Sequence, residues 1–383
     1  MSACKLTNEH DEYDACSSAL SFGGDEDDMG FLDELMNNAR ERVAEAKIRR
    51  DIYEVRRAAT LELNRQMSEA TSGHGSGCSV RGIATPYGTL FSFGQALLGE
   101  NIGYVCEIKK ASPETGVIVE DFNPIKIASE LELAGACAIC YAVEPSMYGG
   151  SVTTFAELSQ TVNVPLVFED TIVDEYQLYE AKSLGAAGVV LTCSIFDEET
   201  LKSYIDVCDS LCLDALVKVR NEEELQAALR AGARIIGADN RDPQTGEVDF
   251  RVSMILRPCV PKGCPFVSVS GIQGADDAAR VALCDPDAIM VGEPLMRAKL
   301  RGLELGKYRY ETKKVRLEVE RQREEKKKEE EQEQEQEREE QRKKLAVPPA
   351  PFVGRTTRMS PDELAALTGD HTPAVPPVPT DLP

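Results

Sequence analysis

Short apolar runs alternate with amphipathic segments from Ile102 to Val291. Eight of the runs read as strands, at 102–109, 137–143, 165–169, 187–193, 214–219, 234–239, 265–270 and 287–291. Several are apolar at successive positions, as in Ala187-Gly-Val-Val-Leu191. Such runs suit a parallel sheet that is covered on both faces. Between them, apolar residues recur at helical spacing, most clearly at Ile125, Ile127 and Leu131, at Leu178, Ala181 and Leu184, and at Leu225, Ala228 and Leu229. A small punctuation precedes three strands: Ala134-Gly-Ala136, Leu184-Gly-Ala186 and Ala231-Gly-Ala233. Its glycines lie 50 and 47 residues apart, which is two βα units of roughly 25 residues each. The pattern predicts an α/β fold, a (β/α)8 TIM barrel. An open doubly wound sheet is the alternative, but no Gly-x-Gly-x-x-Gly follows any strand.

Charged residues collect at one end of these strands. Glu107 and Lys109 close the first, Glu169 and Asp170 the third, Lys218 the fifth, and Asp239 and Arg241 the sixth. Residues two apart on a strand share a face, so Glu107 and Lys109 point the same way, into the barrel. Opposite charges at the carboxyl ends of barrel strands read as catalytic or phosphate-binding. Strands seven and eight end in Ser270-Gly271 and Gly292-Glu293. Small residues there let backbone N–H groups approach a phosphate. For a single strand, ordinary loop charges would explain the pattern; several strands with inward parity favour a site.

These residues carry a resemblance. Glu107-Ile-Lys-Lys-Ala-Ser-Pro113 is similar to the first-strand signature of the indole-3-glycerol phosphate synthase family. The likeness continues through Asp121–Ile127, Phe168–Val173, Asn221–Glu224, Gly237–Asp242, Ser270–Ile272 and Val291–Met296. Met29–Arg57 resembles the helix that lies over the barrel mouth in that family, and the likeness runs from about residue 29 to 300. It implies a carboxy-lyase of tryptophan biosynthesis. In the implied reaction, 1-(2-carboxyphenylamino)-1-deoxyribulose 5-phosphate closes a ring and loses carbon dioxide and water. Closure needs an acid at the ketone oxygen, and dehydration needs an acid and a base around the same atoms.

The chain departs from the family at several of the implied positions. The family ends strand three with lysine and strand five with glutamate; here they are Glu169 and Lys218. Its strand-six asparagine is Asp239, and the glutamate before Ser-Gly on strand seven is Val269. The resemblance assigns catalytic positions to Glu107, Lys109, Glu169, Lys218 and Asp239. It assigns substrate binding to Ser112, Pro113, Arg241, Ser270, Gly271, Gly292 and Glu293. Arg241 would hold the anthranilate carboxylate, and Ser112, Ser270, Gly271 and Gly292 the phosphate. Formal charge balances, with Glu107, Glu169 and Asp239 against Lys109, Lys218 and Arg241. If the exchange is compensated, Glu169 and Lys218 lie close enough to pair. The alternative is a non-catalytic or repurposed paralogue that binds a phosphorylated ligand.

Composition narrows the remaining classes. The 383 residues carry a net charge of −23, which argues against nucleic acid and anionic membrane as partners. No apolar run approaches the ~18 residues of a spanning helix, and the acidic start lacks a targeting pattern, so a cytoplasmic protein is expected. His10, His74 and His371 all fall outside the barrel, which leaves histidine out of core catalysis and metal ligation. No metal and no cofactor is expected. The 12 cysteines read as reduced thiols. Cys137 and Cys140 have C-x2-C spacing, but within a strand they would face opposite sides.

The predicted organisation runs from a disordered acidic segment (1–28) and a helical extension (29–70) through a flexible linker (71–85) to the barrel (86–304). A charged single helix (305–346) and a proline-rich disordered tail (347–383) follow. Phe31–Leu63 reads as one amphipathic helix. Tyr308–Lys344 lacks a heptad seam, so Glu–Lys pairs would support it as a solvated helix. This helix or the tail offers a place for a protein partner. Within the tail, Ser360–Leu367 carries the capping signals of a short helix.

Overall fold

A computed structural model describes residues 31–72, 83–85, 88–90, 93–243 and 245–345. The predicted acidic N-terminus, most of the linker, and the proline-rich tail with Ser360–Leu367 lie outside the described residues. Two compact units divide at Arg321 and Gln322. The first holds the barrel.

All eight predicted strands form. They are β1 (Gly103–Ile108), β2 (Ala138–Ala142), β3 (Leu166–Glu169), β4 (Gly188–Thr192), β5 (Asp214–Val219), β6 (Ile235–Asp239), β7 (Phe266–Val269) and β8 (Ala288–Val291). Every neighbouring pair is parallel, and β8 pairs with β1 to close the barrel. The helices, in chain order, are α1 (Phe31–Arg49), α2 (Ile52–Ser72), α3 (Phe93–Leu97), α4 (Pro124–Leu133), α5 (Val152–Ser159), α6 (Glu175–Ser183), α7 (Glu198–Ser210), α8 (Glu222–Arg230), α9 (Arg251–Leu256), α10 (Ala275–Ala282), α11 (Glu293–Arg297) and α12 (Arg301–Leu345).

Strand parity sorts the core into two shells. Val105, Cys140, Val167, Val190, Leu216, Val267 and Met290 fill the interior, with Phe93 and Leu97 of α3 packed against them. The Gly94 N–H donates to Asp214 Oδ2 at 2.9 Å, which ties α3 to the start of β5. Tyr104, Cys106 and Ile108 alternate outward and pack with the helices. Alternation on β1 therefore sends Val105 and Glu107 inward, and a run that looks uniformly apolar serves both shells.

Helix starts follow the loops in a regular way. Asn123, Ser151, Asp174, Asp197 and Asn221 cap α4, α5, α6, α7 and α8, each accepting a backbone N–H from the first turn. These caps fix where each loop leaves its strand. The recurring Gly135, Gly185 and Gly232 have φ of +91°, +96° and +96°. Each ends its helix in the left-handed conformation that only glycine adopts without strain.

The N-terminal extension is two helices where the sequence pattern suggested one. α1 stops at Arg49, and the Asp51 carboxylate caps α2 by accepting the Glu54 N–H at 2.8 Å. The apolar stripe continues across the break, so periodicity alone hides it. Val43, Val55 and Tyr176 bury one another between the extension and α6. Around them, Arg42 pairs with Asp170 at 2.7 Å, Lys47 with Asp174 at 2.6 Å and Arg56 with Glu175 at 2.6 Å.

Cys137 precedes β2, and its sulfur packs beside Gly103 against the interior cluster that also contains Cys140. The expectation that both cysteines sit within the strand is corrected: only Cys140 does. Among the described residues, every cysteine is free and no group of His, Cys, Asp and Glu is arranged to hold a metal. No described helix is long and apolar enough to cross a membrane.

α12 begins as part of the barrel wall. Leu305, Tyr308 and Thr312 are buried, and Val315 packs on the same core. The Tyr104 and Thr312 hydroxyls meet at 2.9 Å, and the Tyr104 and Tyr308 rings stack at 6.3 Å. Within the second unit, positions 322–342 of the helix are exposed throughout.

Candidate active site

A cavity of about 700 Å³ opens at the carboxyl ends of the strands, a size that accommodates a small organic substrate. Pro113 and Glu114 border it from the loop after β1, and Glu144 and Tyr148 from the loop after β2. Glu169, Lys218, Asp239 and Arg241 line it from β3, β5 and β6, and Ser270 from the end of β7. Leu32 and Leu35 of α1 add apolar surface.

Glu169 and Lys218 do approach each other. The Lys218 ammonium lies 3.7 Å from Glu169 Oε1 and 4.0 Å from Asp239 Oδ2. Both separations exceed a normal hydrogen bond, so the ammonium protons stay available to a group in the cavity. Burial acts to lower the Lys218 pKa, but Asp239, Glu169 and Glu107 outweigh it and the net shift is upward. The lysine stays charged. Asp239 is the ladder partner of Val269. A carboxylate therefore stands one strand away from the apolar residue that replaces the expected strand-seven glutamate.

Cys140 adds a contact from below. Its thiol donates to Glu169 Oε2 at 3.1 Å. Burial, with Glu169 and Glu107 nearby, holds the thiol pKa well above its usual value. Glu169 is thus gripped on one oxygen and faces the ammonium with the other.

Glu107 and Lys109 form a tighter pair, 2.7 Å apart. Burial raises the Glu107 pKa, and Glu169 adds to this, while Lys109 pulls it back in part. Lys109 is shifted upward in turn, because Glu107 outweighs the lowering effect of burial. The Tyr148 ring lies over the Lys109 ammonium at 5.9 Å. Neither member of the pair borders the cavity.

The residues assigned to phosphate are placed less uniformly. Ser270 reaches the cavity with φ of +64°, a conformation that costs energy in a non-glycine residue and concentrates at functional positions. Gly271, at φ +86°, lies under Val248; an added Cβ would come within 2.4 Å of that side chain. Gly292 lies against Glu107, whose Oε2 would be 2.2 Å from an added Cβ. The Glu293 carboxylate accepts from Thr115 Oγ1 and from Arg297 Nε at 2.9 Å. Ser112 is buried and its Oγ accepts the Thr115 N–H at 3.3 Å. Ser112, Gly271, Gly292 and Glu293 form the floor and wall beside the cavity, not its lining.

Glu144 and Tyr148 were not singled out from the sequence. Glu144 is only 2% exposed. Its carboxylate accepts the N–H groups of Ser146, Met147 and Tyr148 and the Ser146 hydroxyl. The Tyr148 carbonyl in turn accepts from the Lys110 and Ala111 N–H groups at 3.1 Å. One buried carboxylate thereby fixes the loop that carries Tyr148. The available signal was a glutamate followed by Ser146 and the Gly149-Gly150 pair, a turn able to wrap round its own acid.

A family model described as indole-3-glycerol phosphate synthase matches residues 87–304. An indole-3-glycerol phosphate synthase of Ruminiclostridium cellulolyticum is 42% identical over 219 residues, 57% of this chain and 84% of that protein. Those of Endomicrobium trichonymphae and Lachnoclostridium phytofermentans are each 35% identical, covering 70% and 71% of this chain and 95% and 96% of their own.

Proposed function

The chain belongs to the indole-3-glycerol phosphate synthase family, and from that premise we propose that its exchanged charges carry the decarboxylating ring closure with Lys218 as the acid. The enzyme is of the carboxy-lyase type, and its substrate class is 1-(2-carboxyphenylamino)-1-deoxyribulose 5-phosphate. As the aromatic carbon attacks the ketone, negative charge builds on the ketone oxygen and a proton must reach it. Lys218 supplies that proton from the β5 wall. Carbon dioxide then leaves the ring carbon that attacked, and the hydroxyl formed from the ketone leaves as water on taking a second proton. Glu169 takes the proton lost from the adjacent carbon as the new ring becomes aromatic. Asp239 stands beside Val269 and supplies the carboxylate that strand seven lacks. Lys109 and Glu107 act on the cluster beside them, Glu107 helping to keep Lys218 charged. Arg241 seats the anthranilate carboxylate. Ser270, with Pro113 on the rim, borders the cavity at the phosphate end, and Ser112, Gly271, Gly292 and Glu293 stand behind it and shape it.

The observation that carries this reading is the spacing of the Glu169–Lys218–Asp239 cluster, 3.7 and 4.0 Å across the ammonium. An acid and two carboxylates face one cavity, close enough to hold each other's charge yet too far apart to satisfy each other's hydrogen bonds.

Turnover of the carboxyphenylamino-deoxyribulose phosphate, followed by indole product fluorescence, tests it. The natural protein should turn over, Glu169→Lys and Lys218→Glu should each inactivate it, and the double exchange should restore activity. A natural protein that binds substrate without turnover, while the double exchange gains activity, would show that the reaction has been lost.

A further inference from the structure

We propose that Glu114 is an internal carboxylate that competes with the substrate's carboxylate for Arg241, and so sets the affinity and selectivity of that seat. The proposal rests on the assignment of Arg241 as the carboxylate seat.

The charged groups at the barrel mouth are paired in a graded way. Lys109 is held by Glu107 at 2.7 Å, Arg42 by Asp170 at 2.7 Å and Arg220 by Asp242 at 3.1 Å. Arg241 is held more loosely. One Nη donates to the Gly246 carbonyl at 2.9 Å, which fixes the side chain against its own loop. Its Nε faces Glu114 Oε1 at 3.9 Å.

Glu114 differs from the other carboxylates in this series. Its side chain is 43% exposed, against 2% for Asp170 and 12% for Glu107. It rides on the loop after β1, next to Thr115, whose hydroxyl bonds the Glu293 carboxylate. Glu114 and Arg241 both border the cavity. A carboxylate that reaches Arg241 through the cavity therefore meets one already there, and that one is the most exposed of these and, at 3.9 Å, beyond hydrogen-bond reach of Arg241.

Displacing a partly exposed ion pair costs little, so a ligand with further contacts succeeds. A lone carboxylate recovers less and is discriminated against. By the same range of exposed ion-pair strengths, removing the Glu114 charge should tighten carboxylate binding by about two- to fivefold.

The test uses a matched pair of probes, N-methylanthranilate and N-methylaniline, which differ by the carboxylate. Dissociation constants on the full chain are read by calorimetry, so turnover is not required. Glu114→Gln should lower the N-methylanthranilate constant two- to fivefold and leave that of N-methylaniline in place. Arg241→Met should raise the N-methylanthranilate constant and abolish the effect of adding Glu114→Gln. If Arg241→Met weakens N-methylanthranilate while Glu114→Gln leaves it unchanged or weakens it, the competitor is wrong and the seat stands. If Arg241→Met leaves N-methylanthranilate binding unmoved, the seat itself is wrong. Glu114→Ser, which also removes the charge, should repeat the glutamine result; a tightening by glutamine alone overturns the proposal.

Discussion

The two halves of the barrel mouth carry the same kinds of charge and arrange them differently. On the β8–β1 side, Glu107 and Lys109 are 2.7 Å apart, and Glu107 packs against Gly292. On the β3–β5–β6 side, Glu169, Lys218 and Asp239 are spread over 3.7 and 4.0 Å and line the cavity. The first half holds the stretch that resembles the family's first-strand signature; the second holds Glu169 and Lys218. A pair that satisfies itself is a rigid support, whereas a cluster left short of hydrogen-bond contact has capacity for a substrate. The contrast leaves the open contacts around Lys218, where the proposed acid chemistry would act.

Three substitutions test this contrast. The largest effect is expected at the cluster. Lys218→Met should lower turnover by about 100-fold or more, the usual contribution of a positioned acid, measured as initial rate on protein with an unchanged circular dichroism spectrum. A variant within a few-fold of the natural rate would move the acid elsewhere and dissolve the contrast.

Gly292→Ala probes the supporting half. The added methyl meets Glu107 Oε2 at 2.2 Å and its Cβ at 3.2 Å. Overpacking of this kind costs about 1–3 kcal/mol, so the denaturation midpoint should fall together with turnover. A loss of rate without loss of stability would make Gly292 a ligand-contact position instead.

The smallest effect is expected at the loop. Burial pushes the Glu144 pKa up, but the Ser146 hydroxyl and three backbone N–H groups outweigh it and the net shift is downward. A lowered carboxylate adds stability above its unfolded value of 4.5 and loses it as pH falls through the folded value. Glu144→Gln should therefore be less stable by about 1–3 kcal/mol at neutral pH. The gap to the natural protein should narrow in acid, as read by denaturant titration at two pH values. A constant gap would mean that the loop is held by shape and not by the charge.

Much of the barrel was legible because parallel strands buried on both faces write themselves as apolar runs, and each run found its strand within a residue or so. The inward parity of Glu107, Glu169, Lys218 and Asp239 followed from a period of two. What stayed hidden depends on contacts across the chain. The break at Asp51 keeps the apolar stripe in phase, so only the cap reveals it. Glu144 reads as a surface acid until its loop is seen folded round it. Cys140 reads as one reduced thiol among twelve cysteines, and its contact with Glu169 has no sign in the local pattern. The shielding of Gly271 by Val248, from a loop some twenty residues earlier, has no trace in local pattern.

The family match stops at residue 304, whereas the packing does not. Leu305, Tyr308 and Thr312 of α12 are buried, and Thr312 completes the hydroxyl pair with Tyr104 on β1. Trimming the chain where the homology ends would strip a layer from the wall behind the first strand and leave the Tyr104 hydroxyl without that partner. Trimming after Arg321 would remove positions 322–342, which are all exposed. For anyone shortening this protein, the safe cut is set by the seventeen residues that the homology omits.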